Sequence, residues 1–468
     1  MIAVETIKIT NQKLKLIGKV ADASSAEVYV VGGYVRDQFL GADVTDMDIV
    51  VVGDGVEFAR KVGAYLGIET LVVHERFGTA MLPVASGKIE FVTARTERYV
   101  QESRNPSIEH ASLHDDLLRR DFTVNAMAVC LNHDRWGELV DPLNGRADIA
   151  GRLLRTPLDP GRTFDDDPLR MVRAVRFASQ LQFRVDGAAL KSIVEMKDRL
   201  SIVSQERITE EFLRILKSRK PSIGLRLMYE AGLMSIVFSE VAQLAGVDQR
   251  NDHHHKDVFL HTCIVVDNIA ETTDNVWLRF AALVHDIAKP RTKAFKEDVG
   301  WTFHGHEEMG ARMMKSIFRR MKFPMEPLPY VEKLVRLHLR PMALVDDIVT
   351  DSAVRRLVFD AGNDIDDLMK LCRADITSKN PKLVQKYLKN YDIVMDKIVE
   401  VEEKDRLRNW QPPLKGDEIM SICGLSPGKK VGVIKRAIEE AVLDGRIPNN
   451  HDAALQFLLS IKDSILLD

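Results

Sequence analysis

The tightest constraint on this chain lies in residues 28–53, VYVVGGYVRDQFLGADVTDMDIVVVG. The segment opens as a short apolar strand and breaks at Gly32-Gly33. It continues as an amphipathic helical stretch carrying Arg36 and Asp37, turns at Gly41, and returns as a second apolar strand that opens with Asp46 and Asp48. Side chains at i and i+2 of a strand share a face. Two anions held that close repel one another unless a cation lies between them, and hard divalent ions such as Mg²⁺ take oxygen ligands of this kind. Backbone N–H groups of a Gly-Gly turn, followed by the start of a helix, favour phosphate. Carboxylates for a metal beside a cradle for a triphosphate imply nucleotidyl transfer. Either element alone is commonplace; order, spacing and strand context together carry the reading.

Three more strand-like runs follow, TLVVHE, TAMLPV and KIEFVTAR, with a helical segment, VEFARKVGAYLG, ahead of them. The pattern predicts an α+β fold: a small mixed-sheet head followed by an elongated all-helical remainder. Glu90, on the last of these strands, is a third metal carboxylate if its strand neighbours that of Asp46, and a solvated strand residue if not. Residues 96–114 are polar and aperiodic and read as a mobile loop beside the site. The run LHDDLLRRDFTVNAMAVCL starts as a helix and carries Arg119, Arg120 and Asp121. VDPLNGRADIAGRLLRTP reads as a hairpin with Asp141, Gly145 and Arg146. In TFDDDPLRMVRAVRFASQLQF, Pro168 suits a first helical turn and Asp165 reads as a cap. Asp167 and Arg170 lie three apart on one face, a row that Arg173 and Arg176 extend.

Net charge is −3 over 468 residues, so a nucleic-acid partner needs a local basic surface. Basic residues outnumber acidic ones between Gly145 and Arg226, which fits either a tRNA- or triphosphate-facing surface or a solvated helical face. The four cysteines are scattered with no CxxC pair, which argues against a disulfide framework or a zinc ribbon and fits a reducing cytoplasm. The N-terminal twenty residues read as a helix, not a signal peptide. No apolar run is long enough to span a membrane. Oligomeric state leaves no mark on the sequence.

GG-x-V-R-D followed by D-x-D resembles the signature of the poly(A) polymerase/tRNA nucleotidyltransferase superfamily. L-x-x-D-L-x-R-R-D-F-T-x-N-A resembles the second motif of class II CCA-adding enzymes, and D-D-P-L-R-x-x-R-A-x-R-F their amino-acid template motif. The resemblance implies that Asp46 and Asp48 are catalytic and bind Mg²⁺, with Glu90 a third catalytic carboxylate if its strand neighbours theirs. It also implies that Gly32, Gly33, Arg36, Arg119, Asp121, Asn125, Asp167, Arg170, Arg173 and Arg176 bind nucleotide. An Asp–Arg pair has a physical basis as a base reader. Cytosine and adenine each present an amino donor beside a ring-nitrogen acceptor, guanine and uracil the reverse. A carboxylate only accepts and a guanidinium only donates, so G and U leave like groups opposed, at about 1–3 kcal/mol for each unpaired group.

The pattern VFLHT, LVHDIAKP, GHEE, LHLRP, ADIT resembles an HD-type metal-dependent phosphohydrolase domain. The resemblance implies His261, His285, Asp286 and Asp375 as core ligands and His306 and His338 at second-metal positions, for a further divalent ion. His304 has no counterpart, and residues 253–255 read as a polar tract. The tail, with ICGLSPGKKVGVIKRAIEEAVLDG as helix, turn and helix, resembles the tRNA-supporting tails of CCA-adding enzymes. The expected organisation is a head (1–150), a nucleotide-selecting and RNA-binding neck (151–245), an HD domain (246–395) and a tail (396–468). The implied activity is template-independent addition of CCA to tRNA from CTP and ATP. The rivals are A-only addition or poly(A) synthesis and, from another class, a non-catalytic RNA-binding or nucleotide-sensing protein.

Overall fold

A computed structural model describes residues 5–42, 46–75, 78–84, 87–98, 107–251, 254–297, 300–346, 350–378, 380–405 and 413–467. These form two compact units, Met1–Val237 and Phe238–Asp468.

The first unit is built on the two predicted strands. β1 (Glu27–Val31) and β2 (Met47–Val52) pair antiparallel, and α2 (Gly33–Leu40) connects them. α1 (Gln12–Ala23) precedes them, its first turn capped by the Asn11 side chain. The predicted N-terminal helix therefore begins only at Gln12; before it, Ile7 and Glu5 bond as extended chain to Gly137 and Leu139. α3 (Gly55–Leu66) starts at Asp54, whose carboxylate accepts the N–H groups of Val56 and Glu57. β3 (Val72–His74), β4 (Thr79–Val84) and β5 (Gly87–Thr93) complete one side of the sheet. β8 (Ala128–Cys130) and β9 (Leu139–Val140) complete the other. The order is β3-β4-β5-β2-β1-β8-β9, with β2 and β5 parallel and the other pairs antiparallel. Val28, Val30, Ile49 and Phe91 are fully buried within it.

Two local expectations are corrected. Where a loop was expected over 96–114, β6 (Arg95–Arg98) and β7 (Ser107–His110) pair as a hairpin and α4 (Leu113–Leu118) follows; the rest of that stretch, 99–106, lies outside the described residues. Arg95, Thr96 and Glu97 supply the strand pairing that a polarity count overlooks. The segment expected as a hairpin is instead α5 (Gly145–Ala150). Asp141 starts it, accepting the N–H groups of Gly145 at 2.7 Å and Arg146 at 2.9 Å.

The neck follows as α6 (Pro160–Asp166), α7 (Leu169–Leu181), α8 (Gly187–Met196) and α9 (Gln205–Leu216), with helices Pro221–Glu230 and Leu233–Val237 beyond. α7 packs against α9 and Pro221–Glu230.

The second unit is largely helical. Val258–Ala270, Val276–Val284, His306–Arg320, Leu328–Leu337 and Ile365–Asp375 form its first part, around a cluster in which Phe280 meets Phe318 and Phe323 edge-on at 5.8 and 5.1 Å. After the helix Pro381–Asp405 come Gly416–Cys423, Lys429–Leu443 and His451–Leu467, sharing a small core of Leu414, Ile434, Ile438 and Leu458. Among the described residues no helix is long and apolar enough to cross a membrane.

Gly145 is required for packing. A Cβ there would run into the carbonyl oxygen of Thr123 and lie 3.0 Å from Met127 Cγ, and backbone cannot yield as a side chain can. Gly145→Ala is expected to lower stability by about 1–3 kcal/mol, read as a lower midpoint in denaturant unfolding.

Candidate active site and metal centre

The parallel register of β2 and β5 sets Asp48 directly beside Glu90. Paired residues of neighbouring strands share a face, so the strand neighbourhood left open in the sequence is the one that brings Glu90 to the carboxylates. Asp46 precedes β2, exposed, and accepts the Lys88 N–H at 3.3 Å. Lys88 Nζ stands 3.5 Å from Glu90. Burial raises the Asp48 carboxyl above its ordinary value; Arg120 opposes this and Glu90 adds to it. A half-buried anion with two further carboxylates nearby is a set of oxygen donors short of positive charge, and it fits a hard divalent cation.

Gly32 turns the chain at the end of β1 with φ +70°. A side chain there would be strained in conformation and crowded in space, with Arg120 Nη1 at 3.1 Å and Asp48 Oδ2 at 3.6 Å from its Cβ position. Bare backbone therefore sits against the carboxylate, and α2 begins beside it. The turn opens on a cleft of about 700 Å³. Every residue assigned above to the head metal or to nucleotide lines this cleft, from Gly32 and Asp46 to Arg173 and Arg176.

A chain of paired groups forms the far wall. Arg36 donates to Asn125 Oδ1 at 2.7 Å and to its neighbour Asp37. Asn125 Nδ2 donates to Asp121 Oδ1 at 3.0 Å, and Arg173 donates twice to Asp121 Oδ2, at 2.9 and 2.5 Å. Arg173 and Arg176 both reach Glu211 on α9, which is 4% exposed. The guanidiniums of Arg36, Arg173 and Arg176 lie 5.3, 5.5 and 3.8 Å from the Phe177 ring, a cation–π arrangement. Burial alone would raise the Asp121 carboxyl, but Arg173 and Asn125 outweigh it and hold the group well below the usual carboxylate range. Arg119 and Arg120 share the fully buried Asp116, one on each oxygen.

Asp165 does not cap α7. It lies in the last turn of α6 and pairs with Arg199 at 2.9 Å, because Asp167, in extended conformation, separates the two helices. Asp167 does the capping, its Oδ1 accepting the Leu169 N–H at 3.2 Å, while Arg207 donates to its Oδ2 at 2.9 Å. Arg170 donates to the carbonyls of Thr163 and Arg119, at 3.3 and 2.5 Å.

In the second unit all six predicted ligands converge. His261 Nε2 is 2.8 Å from Asp375 and 3.9 Å from Asp286; His285 Nε2 is 3.2 Å from Asp286 and 3.5 Å from Asp375. His306 and His338 approach the other oxygen of Asp286 at 3.2 and 3.8 Å. The Nδ1 hydrogens of His285, His306 and His338 go to the carbonyls of Ala282, Phe303 and Val335, at 2.8, 2.7 and 2.7 Å. That fixes the tautomer and aims each Nε2 lone pair inward. Burial pushes His338 below its ordinary value, which favours the neutral ligating form. Among the described residues, the groups whose donor atoms all lie within 4.8 Å of one another are His261, His285 and Asp286, and Asp286, His306 and His338. His285 Nε2 is fully buried without a hydrogen-bond partner there, as a metal-binding nitrogen would be. His304 is exposed, His253 lies outside the described residues, and His254 and His255 are described only as part of the strand His254–Asp257.

The sequence reading missed several charged groups. Arg207, Glu211 and Arg214 recur at i, i+4 and i+7 on α9, and both arginines line the cleft; the spacing was a usable signal. Lys289, three residues after Asp286, donates to it at 2.6 Å.

Residues 28–155 match the poly A polymerase head domain, 182–244 the probable RNA and SrmB-binding site of polymerase A, and 253–379 the HD domain. An A-adding tRNA nucleotidyltransferase of Deinococcus radiodurans is 30% identical over 433 residues, covering 91% of this chain and 93% of that protein. A multifunctional CCA protein of Alcanivorax borkumensis is 35% identical over 322 residues, 66% of this chain and 74% of that protein. The Bacillus stearothermophilus CCA-adding enzyme in complex with CTP shares the fold, with TM-score 0.66 at 23% identity, covering 98% of this chain and 99% of that one. Fold and cleft thus define a nucleotidyltransferase carrying an HD domain. The chain belongs to the poly(A) polymerase family, among its CCA-adding and tRNA nucleotidyltransferase members.

Asp121→Asn removes one charge from the buried network and should cost about 3 kcal/mol at neutral pH. The folded carboxyl is depressed, so its contribution is present above the unfolded value near 3.9 and is lost as pH falls through the folded value. The variant lacks that titration. Its denaturant midpoint should therefore fall less steeply than the parent's between about pH 5 and 2.

Proposed function

We propose that this protein completes tRNA by adding CCA to its 3′ end from CTP and ATP, without a nucleic-acid template, releasing pyrophosphate. One observation carries the reading: Asp167 and Arg170 share a cleft with Asp46, Asp48 and Glu90. A base edge set against the first pair leaves its triphosphate within the same cleft as the carboxylates. Divalent ions held by Asp46 and Asp48, Mg²⁺ in this reading, supply acidification of the tRNA 3′-hydroxyl and neutralisation of the leaving pyrophosphate. Gly33 and Arg36 bind phosphate oxygens, Arg36 through N–H groups that Asn125 and Asp37 hold in place. Asp167 accepts the amino hydrogen of C or A and Arg170 donates to the ring nitrogen.

A-only addition is the rival with support of its own, since the Deinococcus relative spanning 91% of this chain is A-adding. The test is tRNA ending before its CCA, offered each labelled NTP alone and then CTP with ATP. Two C additions followed by one A are expected. A single A on tRNA that already ends in CC, with no C incorporation, would replace the reading with A-addition, and long A tails would replace it with poly(A) synthesis. Asp48→Asn should lower incorporation roughly 100-fold or more, a loss of several kcal/mol of charge stabilisation. Asp167→Ala should narrow the preference for CTP and ATP over UTP and GTP; an unchanged preference removes the base-reading role.

The inward-aimed imidazoles of the second unit support a further activity, hydrolysis of phosphate esters at the HD centre, with His261, His285, Asp286 and Asp375 as ligands and His306 and His338 extending the set. A phosphodiesterase assay on wild type and His285→Ala decides it. Chelator-sensitive turnover that the variant lacks is expected; equal rates would end the idea.

A further inference from the structure

The register that sets Asp48 beside Glu90 brings a fourth side chain to the same patch. Lys88 lies two residues before Glu90 on β5, and its main-chain N–H donates to Asp46. Alternation along a strand puts Lys88 and Glu90 on one face. Lys88 Nζ accordingly stands 3.5 Å from Glu90 Oε2, while Ile89 between them is fully buried. The result is a two-by-two arrangement. Asp48 and Glu90 form its inner, half-buried row, and Asp46 and Lys88 its outer, exposed row. Three corners are carboxylates and the fourth is an ammonium.

Lys88 differs from the other cations of the site. Every described basic residue lining the cleft is an arginine, and those nearest the carboxylates are spent on fixed partners. Arg120 is bound to the fully buried Asp116 at 3.0 Å, and Arg36 to Asn125 and Asp37. Lys88 stands beside the cleft with its side chain 48% exposed, and its contact with Glu90 is long for an ammonium on a carboxylate. An exposed pair of that length adds little to stability. Its effect is on charge: burial raises the Asp48 carboxyl, and Lys88 acts with Arg120 against that rise. Lysine is a point charge on a flexible four-carbon stem, which suits a group that changes partners. Glu90, once turned to a divalent ion, no longer holds the ammonium, and two cations so close repel. A triphosphate in the neighbouring cleft then offers Lys88 anionic oxygens.

We propose that Lys88 is a phosphate-binding residue of the nucleotidyl-transfer centre, exchanged from Glu90 to the incoming polyphosphate when metal binds the carboxylates. No covalent bond changes; one ion pair replaces another. The ligand class is the outer phosphates of a nucleoside triphosphate, or the pyrophosphate that leaves. The proposal rests on the reading of Asp46, Asp48 and Glu90 as metal ligands.

Binding distinguishes this role from a surface ion pair. The full-length protein is titrated with CTP, pyrophosphate and CMP, with Mg²⁺ and again with a chelator. It is also titrated with Mn²⁺ alone, free ion being read by paramagnetic resonance; the Mn²⁺ held by wild type but not by Asp48→Asn is the head's share. Lys88→Met should weaken CTP and pyrophosphate roughly tenfold in Mg²⁺, the loss of one charge-assisted contact. CMP affinity should not change, and Lys88→Arg should retain most of the CTP affinity. With chelator, wild type and Lys88→Met should bind CTP alike. Lys88→Met should bind the head's Mn²⁺ more tightly than wild type, because a competing cation is gone, so weaker CTP binding cannot come from lost metal. CTP and pyrophosphate affinities unchanged by Lys88→Met in Mg²⁺ overturn the proposal. A loss of the same size for CMP overturns it too, since the outer phosphates are then not the ligand. Equal losses with Mg²⁺ and with chelator overturn the exchange. Mn²⁺ binding that Asp48→Asn leaves at the wild-type value ends the metal reading and the exchange with it. Mn²⁺ binding reduced in Asp48→Asn, with CTP affinity intact in Lys88→Met, ends the role of Lys88 alone.

Discussion

The nucleotide cleft depends on carboxylates buried among guanidiniums. Asp121 and Glu211 are 7% and 4% exposed, and each is held by an arginine of α7. A charge taken out of water is costly unless it is both paired and hydrogen-bonded, so neither carboxylate can be buried without its arginine, nor Arg176 without Glu211. The consequence is geometric. Arg36 leaves α2, reaches Asn125, and through it and Asp121 is tied to Arg173 and α9. The β1 turn and the neck helices are parts of one hydrogen-bonded wall. A guanidinium carries five donors in a fixed plane, and no single carboxylate uses them all. The same pairing that stabilises the wall orients cationic N–H groups along it, with Phe177 as the surface on which three of them rest.

The two candidate metal sites solve the problem of gathered ligands in opposite ways. In the head, strand register alone lines up oxygen donors, and they stay open enough that Asp46 is exposed. Oxygen ligands with room for water and phosphate suit a small hard cation that must share its shell with substrate. In the second unit the ligands are buried imidazoles, most with the Nδ1 hydrogen spent on a backbone carbonyl one helical turn back, and Asp286 lies at their centre. Mixed nitrogen and oxygen donors in a closed shell favour softer transition metals. Lys289 at Asp286 offsets part of the negative charge there, as Arg120 does at Asp48.

What could be read in the chain before its structure follows from the range over which each signal acts. The β1–turn–α2–β2 unit was legible because hydrophobic period, Gly-Gly and Asp-x-Asp are all local. The six candidate residues of the HD centre could be named by resemblance, and the carbonyls that bond three of them lie three residues before His285, His306 and His338, a spacing that any helical His allows. Register was not legible: whether Glu90 faces Asp48 depends on the parallel β2–β5 pairing, which no periodicity encodes. Capping was misassigned at Asp165 because three consecutive aspartates before a proline are equivalent in sequence, and only the extended backbone of Asp167 distinguishes them. At α5 the segment read as a hairpin, yet Asp141 is close enough to take two N–H groups and start a helix instead. The partners of Arg173 and Arg176 on α9 lie 35 or more residues away and could not be paired by spacing.

The proposed base selection is only as sharp as the fixing of two side chains. A free Asp–Arg pair could rotate to meet guanine or uracil, and the cost of opposing like groups, about 1–3 kcal/mol each, would be relieved by motion. Here each member is held by partners outside the pair. Asp167 is anchored by the Leu169 N–H on one oxygen and by Arg207 on the other. Arg170 is anchored by two backbone carbonyls, of Thr163 in the neck and Arg119 in the head. Backbone carbonyls cannot swing away as side chains can, so the guanidinium plane is set by the fold, and its N–H groups stay donors toward whatever base arrives. Orientation imposed from outside the pair, more than the identity of its two residues, is what turns a hydrogen-bonding preference into discrimination. Arg119 contributes to it through its main chain while its side chain is occupied with Asp116. A residue flagged in the sequence for contacting nucleotide thus also aligns a residue proposed to read the base.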